Sequence, residues 1–587
     1  MSTKAIPFGG SDINQRLVLG HPSGLFVLFF TEMWERFSYY GMRALLVLFL
    51  TSSLMDEGWA WPRESALALY GTYTAMVYLT PIIGGYLADR VMGYRWAVVL
   101  GALIMTLGHA SMAIETPLFL YIGLFLLVAG NGFFKPNMTS IISEVYKDHP
   151  EKKDGAFTIY YMGVNAGAFL GIMLCGYLGE KVGWSWGFGL AGIFMFFGML
   201  QFHYTQGIFG KIGLAPKNKS AEDAEVKLEE GETKLNTFKR LDVLITILVS
   251  VVGLIWVIND PMEKIAQRTF FPFEVGGLSG STFAIIAALV LFLFLIISRT
   301  LRYSKVVRDR IIAVSIFAFF TIFFWAAFEQ AGGSMTIFAK DYTNRVLDGT
   351  ASMTFKIFNT LLTVVPMAII TWVLLALFKQ TFEKYKLGNV FLAISFIIIW
   401  GIVIWMLVQE FASDATEVTA SWFGILNSFF IIAFAPLFSK LWESKYNPSA
   451  AVKYGLGLSL LGIGFGALAF GAISIPQGAE TASVSMIWLI LAYLFHTLGE
   501  LCLSPVGLSY VSKLVPGRMI GMMFGIWYLA IAIGNKAAGT IGGMIDEITA
   551  EYSLQTFFLI FTLIPIAAGL LVSALNPLLK KLMHGIR

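Results

Sequence analysis

The sequence predicts an all-α polytopic membrane protein, two six-helix bundles with accessory transmembrane hairpins. Three observations predict it. Hydrophobic residues make up 57% of the 587-residue chain and charged residues only 13%. Apolar runs follow one another almost end to end, and basic residues recur in every second loop. A soluble globule cannot hide that much apolar surface, whereas a bilayer accepts it at about 20 residues per helix. The net charge of +4 then reflects loops on one side of a membrane and gives no reason to expect nucleic acid.

About sixteen runs are long enough to span. Six lie near 25–53, 65–88, 95–114, 117–146, 155–178 and 184–206. A Lys/Glu-rich stretch over 211–240 reads as a solvated loop, and two apolar runs near 241–259 and 282–299 form an accessory hairpin. A run near 309–339 comes next, then a pair near 353–378 and 388–409. Five more lie near 420–441, 451–475, 483–512, 518–545 and 552–578. The expected domains are therefore an N-terminal bundle over 1–206, a loop with its hairpin over 207–308, and a C-terminal bundle over 309–587. The last carries an inserted hairpin at about 353–409.

Alternate loops hold Arg90 and Arg95, Lys147 to Lys153, Arg299 to Arg310, Lys379 to Lys386, Lys440 to Lys453, Lys513 and Arg518, then Lys580, Lys581 and Arg587. The intervening loops are poorer in Lys and Arg, which places both termini in the cytoplasm. Residues 1–20 carry no cleavable signal pattern. Between the second and third runs, Gly85-Tyr86-Leu87-Ala88-Asp89-Arg90 with Gly93 and Arg95 resembles the major facilitator signature. A major facilitator fold is expected, with its site between two bundles.

The informative residues are ionisable ones inside apolar helices, where each charge costs about 2.5–3.5 kcal/mol on insertion scales. The first run contains Glu32, Glu35, Arg36 and Arg43. At about 100° per residue, Glu32, Arg36, Tyr39 and Arg43 share a stripe flanked by Glu35 and Tyr40. That stripe has to line a cavity or meet another bundle. A buried salt-bridge network is the plainer alternative, but acids beside a strong base in a partly wet site make a proton switch. Lys135, Glu329 and Glu500 are isolated charges in other runs. Together they put cations in the first half and acids in the second, the dipole a zwitterion needs.

Gly163, Gly167 and Gly171, and likewise Gly521 and Gly525, give small-residue faces for close helix packing. Cys175 and Cys502 read as core residues with no disulfide framework. His109, His203 and His496 lack an i, i+4 partner, so no metal site is expected. No P-loop, zinc-protease motif or nucleophile–base pair appears, and an enzyme is not expected.

Glu32-Met33-Trp34-Glu35-Arg36-Phe37-Ser38-Tyr39-Tyr40-Gly41 resembles the ExxERFxYYG motif of proton-dependent oligopeptide transporters. Phe157 to Gly167, Gly-Asn-Gly-Phe-Phe-Lys-Pro-Asn around Lys135, and Gly499-Glu500 with Ser504-Pro505 also fit that family. The resemblance implies proton-coupled symport of di- and tripeptides by alternating access, with the proton as coupling ion and no cofactor. It implies proton coupling by Glu32, Glu35, Arg36, Lys135 and Glu500. Tyr40, Arg43, Tyr78, Lys135, Tyr161 and Asn165 would contact the peptide from the first half. Trp325, Asn427, Glu500, Ser504 and Trp527 would do so from the second. Arg43 and Glu329 would form the outer gate.

Where the family usually has Asn-Pro, Leu426-Asn427-Ser428 stands here, so the role of Asn427 is an open expectation. The short link between 475 and 483 lacks the extracellular domain of animal members, which suits a bacterial inner membrane. No obligate protein partner is implied. A carrier of nitrate or an amino acid is the first alternative, disfavoured because both acids of ExxER are kept. A membrane sensor is the second, and residues 1–20 and 579–587 are short for a signalling domain.

Overall fold

The computed structural model describes residues 7–10, 12–215, 236–514 and 520–586, apart from the side chains of 504–506, 508–510, 512 and 520–522. Among these residues thirteen helices are long and apolar enough to cross a membrane. Three further long helices, Ser23–Thr51, Ile487–Leu514 and Ile520–Gly543, complete the expected set. The first of these carries the four intramembrane charges, which is why it misses an apolar criterion.

The chain forms two compact units that are not contiguous in sequence. The first comprises Met1–Ala60, Leu79–Lys219 and Thr336–Ile432. It contains α1 (Ser23–Thr51), the end of α2 (Arg63–Leu87), α3 (Tyr94–Met112), α4 (Pro117–Val145), α5 (Pro150–Lys181) and α6 (Trp184–Thr205). Helix α1 packs on α5 and α6, and α3 on α4 and α6. The α1–α5 approach is set by glycine. A Cβ at Gly167 would overlap the Met33 carbonyl, and one at Gly171 the Phe37 carbonyl. Trp34 stacks on Phe194 of α6 with centroids 4.7 Å apart. Thr31 Oγ1 donates to Gln201 Oε1 at 2.9 Å, a polar tie between α1 and α6.

The second unit comprises Trp61–Tyr78, Ser220–Met335 and Ala433–Arg587. It holds the start of α2 together with α7 (Arg240–Ala266), α8 (Gly280–Thr300) and α9 (Lys305–Phe328). The chain returns to the first unit within the one-turn α10 (Ser334–Ile337). Helices α7 and α8 make a hairpin whose tip pairs Glu274 with Ser279 through Gly276 and Gly277. Both glycines have positive φ, +60° and +81°, as a two-residue hairpin turn requires.

The inserted hairpin, α11 (Gly349–Thr381) and α12 (Lys386–Ala412), was expected inside the C-terminal bundle. It belongs to the first unit instead. Gly388 lets α12 lie close against Gln201 and Thr205 of α6, and Phe396 adds an edge contact to Trp34 at 5.6 Å. Helix α13 (Ile425–Glu443) starts in the first unit and ends in the second. The second unit is completed by α14 (Ala450–Gly471), α15 (Ile487–Leu514), α16 (Ile520–Gly543), the short α17 (Ile545–Glu551), α18 (Leu554–Ala574) and the terminal α19 (Asn576–Leu582). Within it α14 packs on α15 and α18, and α9 on α16.

The expected single run over 309–339 is broken. Helix α9 stops at Phe328 and a 3₁₀ turn follows over Glu329–Gly332. Gly525, expected on a packing face, has nothing within 4 Å of an added Cβ among the described residues. Gly521 lies outside the residues whose side chains are described.

Candidate functional site

In the first unit the site is built on α1. The i, i+4 spacing stacks Glu32 and Arg36 on one face. Arg36 Nε lies 2.8 Å from Glu32 Oε1 and 3.0 Å from Glu35 Oε2. All three are buried, at 1%, 0% and 8% exposure for Glu32, Glu35 and Arg36. One guanidinium thus serves two carboxylates. Asn131 of α4 adds a donor, Nδ2 to Glu35 Oε1 at 3.1 Å. Glu32 Oε2 is buried without a hydrogen-bond partner among the described residues. With both acids ionised, these three side chains carry a surplus negative charge. A buried site accepts that only with a further cation or a proton. Lys135, one turn along α4 from Asn131, is close enough for its charge to act on Glu35.

The remaining α1 residues extend this surface. The Arg36 guanidinium lies 5.9 Å from the Tyr39 ring centroid, and that of Arg43 lies 5.7 Å from Tyr40. On α5, Tyr160 is buried while Tyr161 is exposed, and Asn165 Nδ2 donates to the Tyr161 carbonyl at 3.0 Å. Asn427 sits in the first turn of α13, within the first unit. The 3₁₀ turn that precedes it, Ala420–Gly424, is held down from α5. Glu180 accepts from the backbone N–H of Ala420 and Ser421 at 2.8 and 2.9 Å, and Trp422 Nε1 donates to the Met173 carbonyl at 3.0 Å.

The second unit gathers the other expected residues. Tyr78 belongs to it, its ring 5.9 Å from Trp325 and 6.4 Å from Tyr528. Glu329, 2% exposed, accepts the Tyr70 hydroxyl at 2.8 Å. Trp527 is buried against the backbone of α15 at Gly507 and edge-on to Tyr454 at 6.4 Å. Glu500 follows Gly499, where α15 touches α14 so closely that a Cβ would come within 2.6 Å of the Gly457 carbonyl. The Ser504 side chain lies outside the described residues.

Some polar residues escape prediction from sequence. Asn131 lies in the motif around Lys135, but only the structure gives it a partner. Lys536, which is buried, and the partly buried Asp260 form an ion pair in the second unit. Lys536 falls within the apolar run 518–545, and a cation in such a run is itself the signal that could have found it. Glu180 sits just past the apolar run of α5, where a solvated acid is ordinary, and nothing in the sequence marks it.

The sequence profile of the POT family matches residues 95–416 and 404–560. A peptide transporter of Yersinia enterocolitica, YePEPT, is 31% identical over 578 residues, covering 97% of this chain and 96% of its own. A di-/tripeptide transporter of Lactococcus lactis subsp. cremoris is 27% identical over 579 residues, covering 98% and 99%. Among solved structures, a mutant of the peptide transporter POT in complex with alafosfalin is similar with a TM-score of 0.70. It is 28% identical and covers 98% of each chain.

Proposed function

Since the chain belongs to the POT family, we propose that it is a proton-coupled symporter of di- and tripeptides. It is a multi-span membrane transporter and not an enzyme. The observation that carries the coupling mechanism is the shared guanidinium. Arg36 faces Glu32 and Glu35 at once, so the cluster takes up a proton without losing its cation. Protonating one acid removes its claim on Arg36, which is then available to a peptide carboxylate.

In this proposal Glu32, Glu35, Arg36, Lys135 and Glu500 carry the proton coupling. Lys135 and Arg43 also meet the carboxylate end of the peptide, and Glu500 its ammonium. Tyr40, Tyr78, Tyr161, Asn165, Trp325, Asn427, Ser504 and Trp527 line the peptide. Arg43 and Glu329 serve as gate charges in alternating access. The protein sits in a bacterial inner membrane with both termini in the cytoplasm, and the proton is its only coupling agent.

The test is uptake of labelled dialanine into proteoliposomes with and without an inward proton gradient. Uptake is expected to rise with the gradient in the native protein and to lose that rise in Glu35→Gln. A native protein that neither accumulates dialanine nor is inhibited by other peptides refutes the substrate. Gradient-driven uptake that survives Glu35→Gln refutes the coupling assignment.

A further inference from the structure

Helices α2 and α16 meet backbone to backbone in the second unit. A Cβ at Gly71 would come within 2.7 Å of Gly539 Cα. Such a contact sets the separation of two helices but leaves them able to slide. Polar groups fix the axial register. Asn535 Nδ2 donates to the Thr74 carbonyl at 3.3 Å, and Lys536 Nζ donates to Thr72 Oγ1 at 2.9 Å.

Lys536 is 3% exposed, and its counter-charge comes from the accessory hairpin. Asp260 of α7 pairs with it directly. Lys264, one turn further along α7, lies 3.4 Å from Asp260 and 3.2 Å from Glu64 of α2. A second tie follows from Pro261. Proline has no N–H, so the Val257 carbonyl one turn earlier loses its helical donor. An unpaired carbonyl is costly in a bilayer. Thr72 Oγ1 donates to it at 3.1 Å. Thr72 is thereby an acceptor from α16 and a donor to α7. Little else of α7 is covered, since only 11% of its apolar window is buried.

Tyr78 lies on α2 about 9 Å along the axis from Thr72, at 1.5 Å rise per residue. A slip of one helical turn would carry its ring about 5.4 Å from its place beside Tyr528 and Trp325. We propose that Asp260, Lys536 and Thr72 are positioning residues for transport, which lock Trp61–Tyr78 of α2 in register with α16 and so hold Tyr78 on the aromatic wall. This rests on the proposed role of Tyr78 and Trp325 in lining the peptide. The accessory hairpin then supplies both the charge that keeps Lys536 buried and the carbonyl that orients Thr72.

Two readouts test this in the full-length protein. One is the KM and maximal rate of dialanine uptake in proteoliposomes. The other is oxidative crosslinking of Tyr78→Cys to Tyr528→Cys in a Cys175→Ala, Cys502→Ala background, which needs no substrate. Asp260→Asn is expected to raise KM about ten-fold with little change in maximal rate, about 1.4 kcal/mol of binding, because the aromatic wall then meets the peptide out of place. It should slow crosslinking by a similar factor, and Asp260→Glu should restore both. Where Asp260→Asn does not fold, Thr72→Val carries the test, because it leaves no charge unpaired. Unchanged KM and crosslinking in a folded variant overturn the proposal. A native protein that ignores dialanine but crosslinks in register refutes the functional reading and leaves the register claim standing.

Discussion

The Tyr70 hydroxyl donates to Glu329 Oε2 at 2.8 Å, so the acid at the end of α9 is held by α2 within the second unit. The contact is tight: a Cβ on Gly332, three residues past the acid, would overlap the tyrosine hydroxyl. Glu329 thus sits where a helix breaks, with a neutral donor already in place.

Tyr70→Phe removes that donor and leaves the buried acid one hydrogen bond short, a loss of about 1.5–3 kcal/mol for a bond to a charged group. The expected outcome is a lower thermal midpoint, read by thermal-shift fluorescence in detergent, with uptake reduced but not abolished. An unchanged midpoint would show that the bond contributes nothing to stability.

Asn131→Leu takes away the amide that donates to Glu35 Oε1 at 3.1 Å. The two side chains have the same branching and number of heavy atoms, so the change removes the polar contact with the least change of shape. Gradient-driven dialanine uptake should fall several-fold more than dialanine exchange between two equal pools at the same pH. Equal loss in both assays would point to a role in folding.

Glycine positions separate packing from sequence pattern. Gly167→Ala places a methyl group against the Met33 carbonyl, whereas Gly525→Ala meets nothing within 4 Å among the described residues. Overpacking costs about 1–3 kcal/mol, so the first variant should melt several degrees lower and the second should match the native protein. Parallel melts of the two decide it.

Glu417 lies outside the spans and pairs with Lys181 at 2.9 Å and Arg345 at 3.0 Å. Partial burial pushes its carboxyl up, but the two cations outweigh that and hold it below the ordinary value. A depressed folded value gives stability that is present above about pH 4.3, the unfolded value, and is lost as pH falls through the folded one. Glu417→Gln should therefore lower the thermal midpoint at pH 7, and the deficit should shrink in melts taken progressively below pH 4. A deficit independent of pH would rule out the charge as its cause.

The spans were legible because about 20 apolar residues in a row leave few alternatives, and α1 betrayed its site by carrying Glu32, Glu35, Arg36 and Arg43 where lipid-facing charge is untenable. Partner choice was not legible. Periodicity put Glu32 and Arg36 on one stripe, yet nothing in it says that the same nitrogen also reaches Glu35, or that Asn131 arrives from α4. Chain order likewise does not show where the α11–α12 hairpin docks, because that is set by Gly388 against α6 and by Phe396 against Trp34 of α1. The cation Lys536 stands out in its apolar run, but nothing in the sequence names Asp260 of the accessory hairpin as its partner.

The shared guanidinium of α1 also bears on how the chain enters the membrane. Isolated in lipid, this first helix would carry Glu32, Glu35, Arg36 and Arg43 at several kcal/mol of insertion cost, and Arg36 offsets part of it from within the same segment. The rest of its relief, the Asn131 amide and the glycine groove of α5, is encoded more than 90 residues downstream. A segment made before its partners therefore cannot settle before them. Biogenesis has to keep α1 in a sheltered, hydrated setting until α4 and α5 have been made, and α1 is the helix whose integration should respond most sharply to truncating the nascent chain before residue 131.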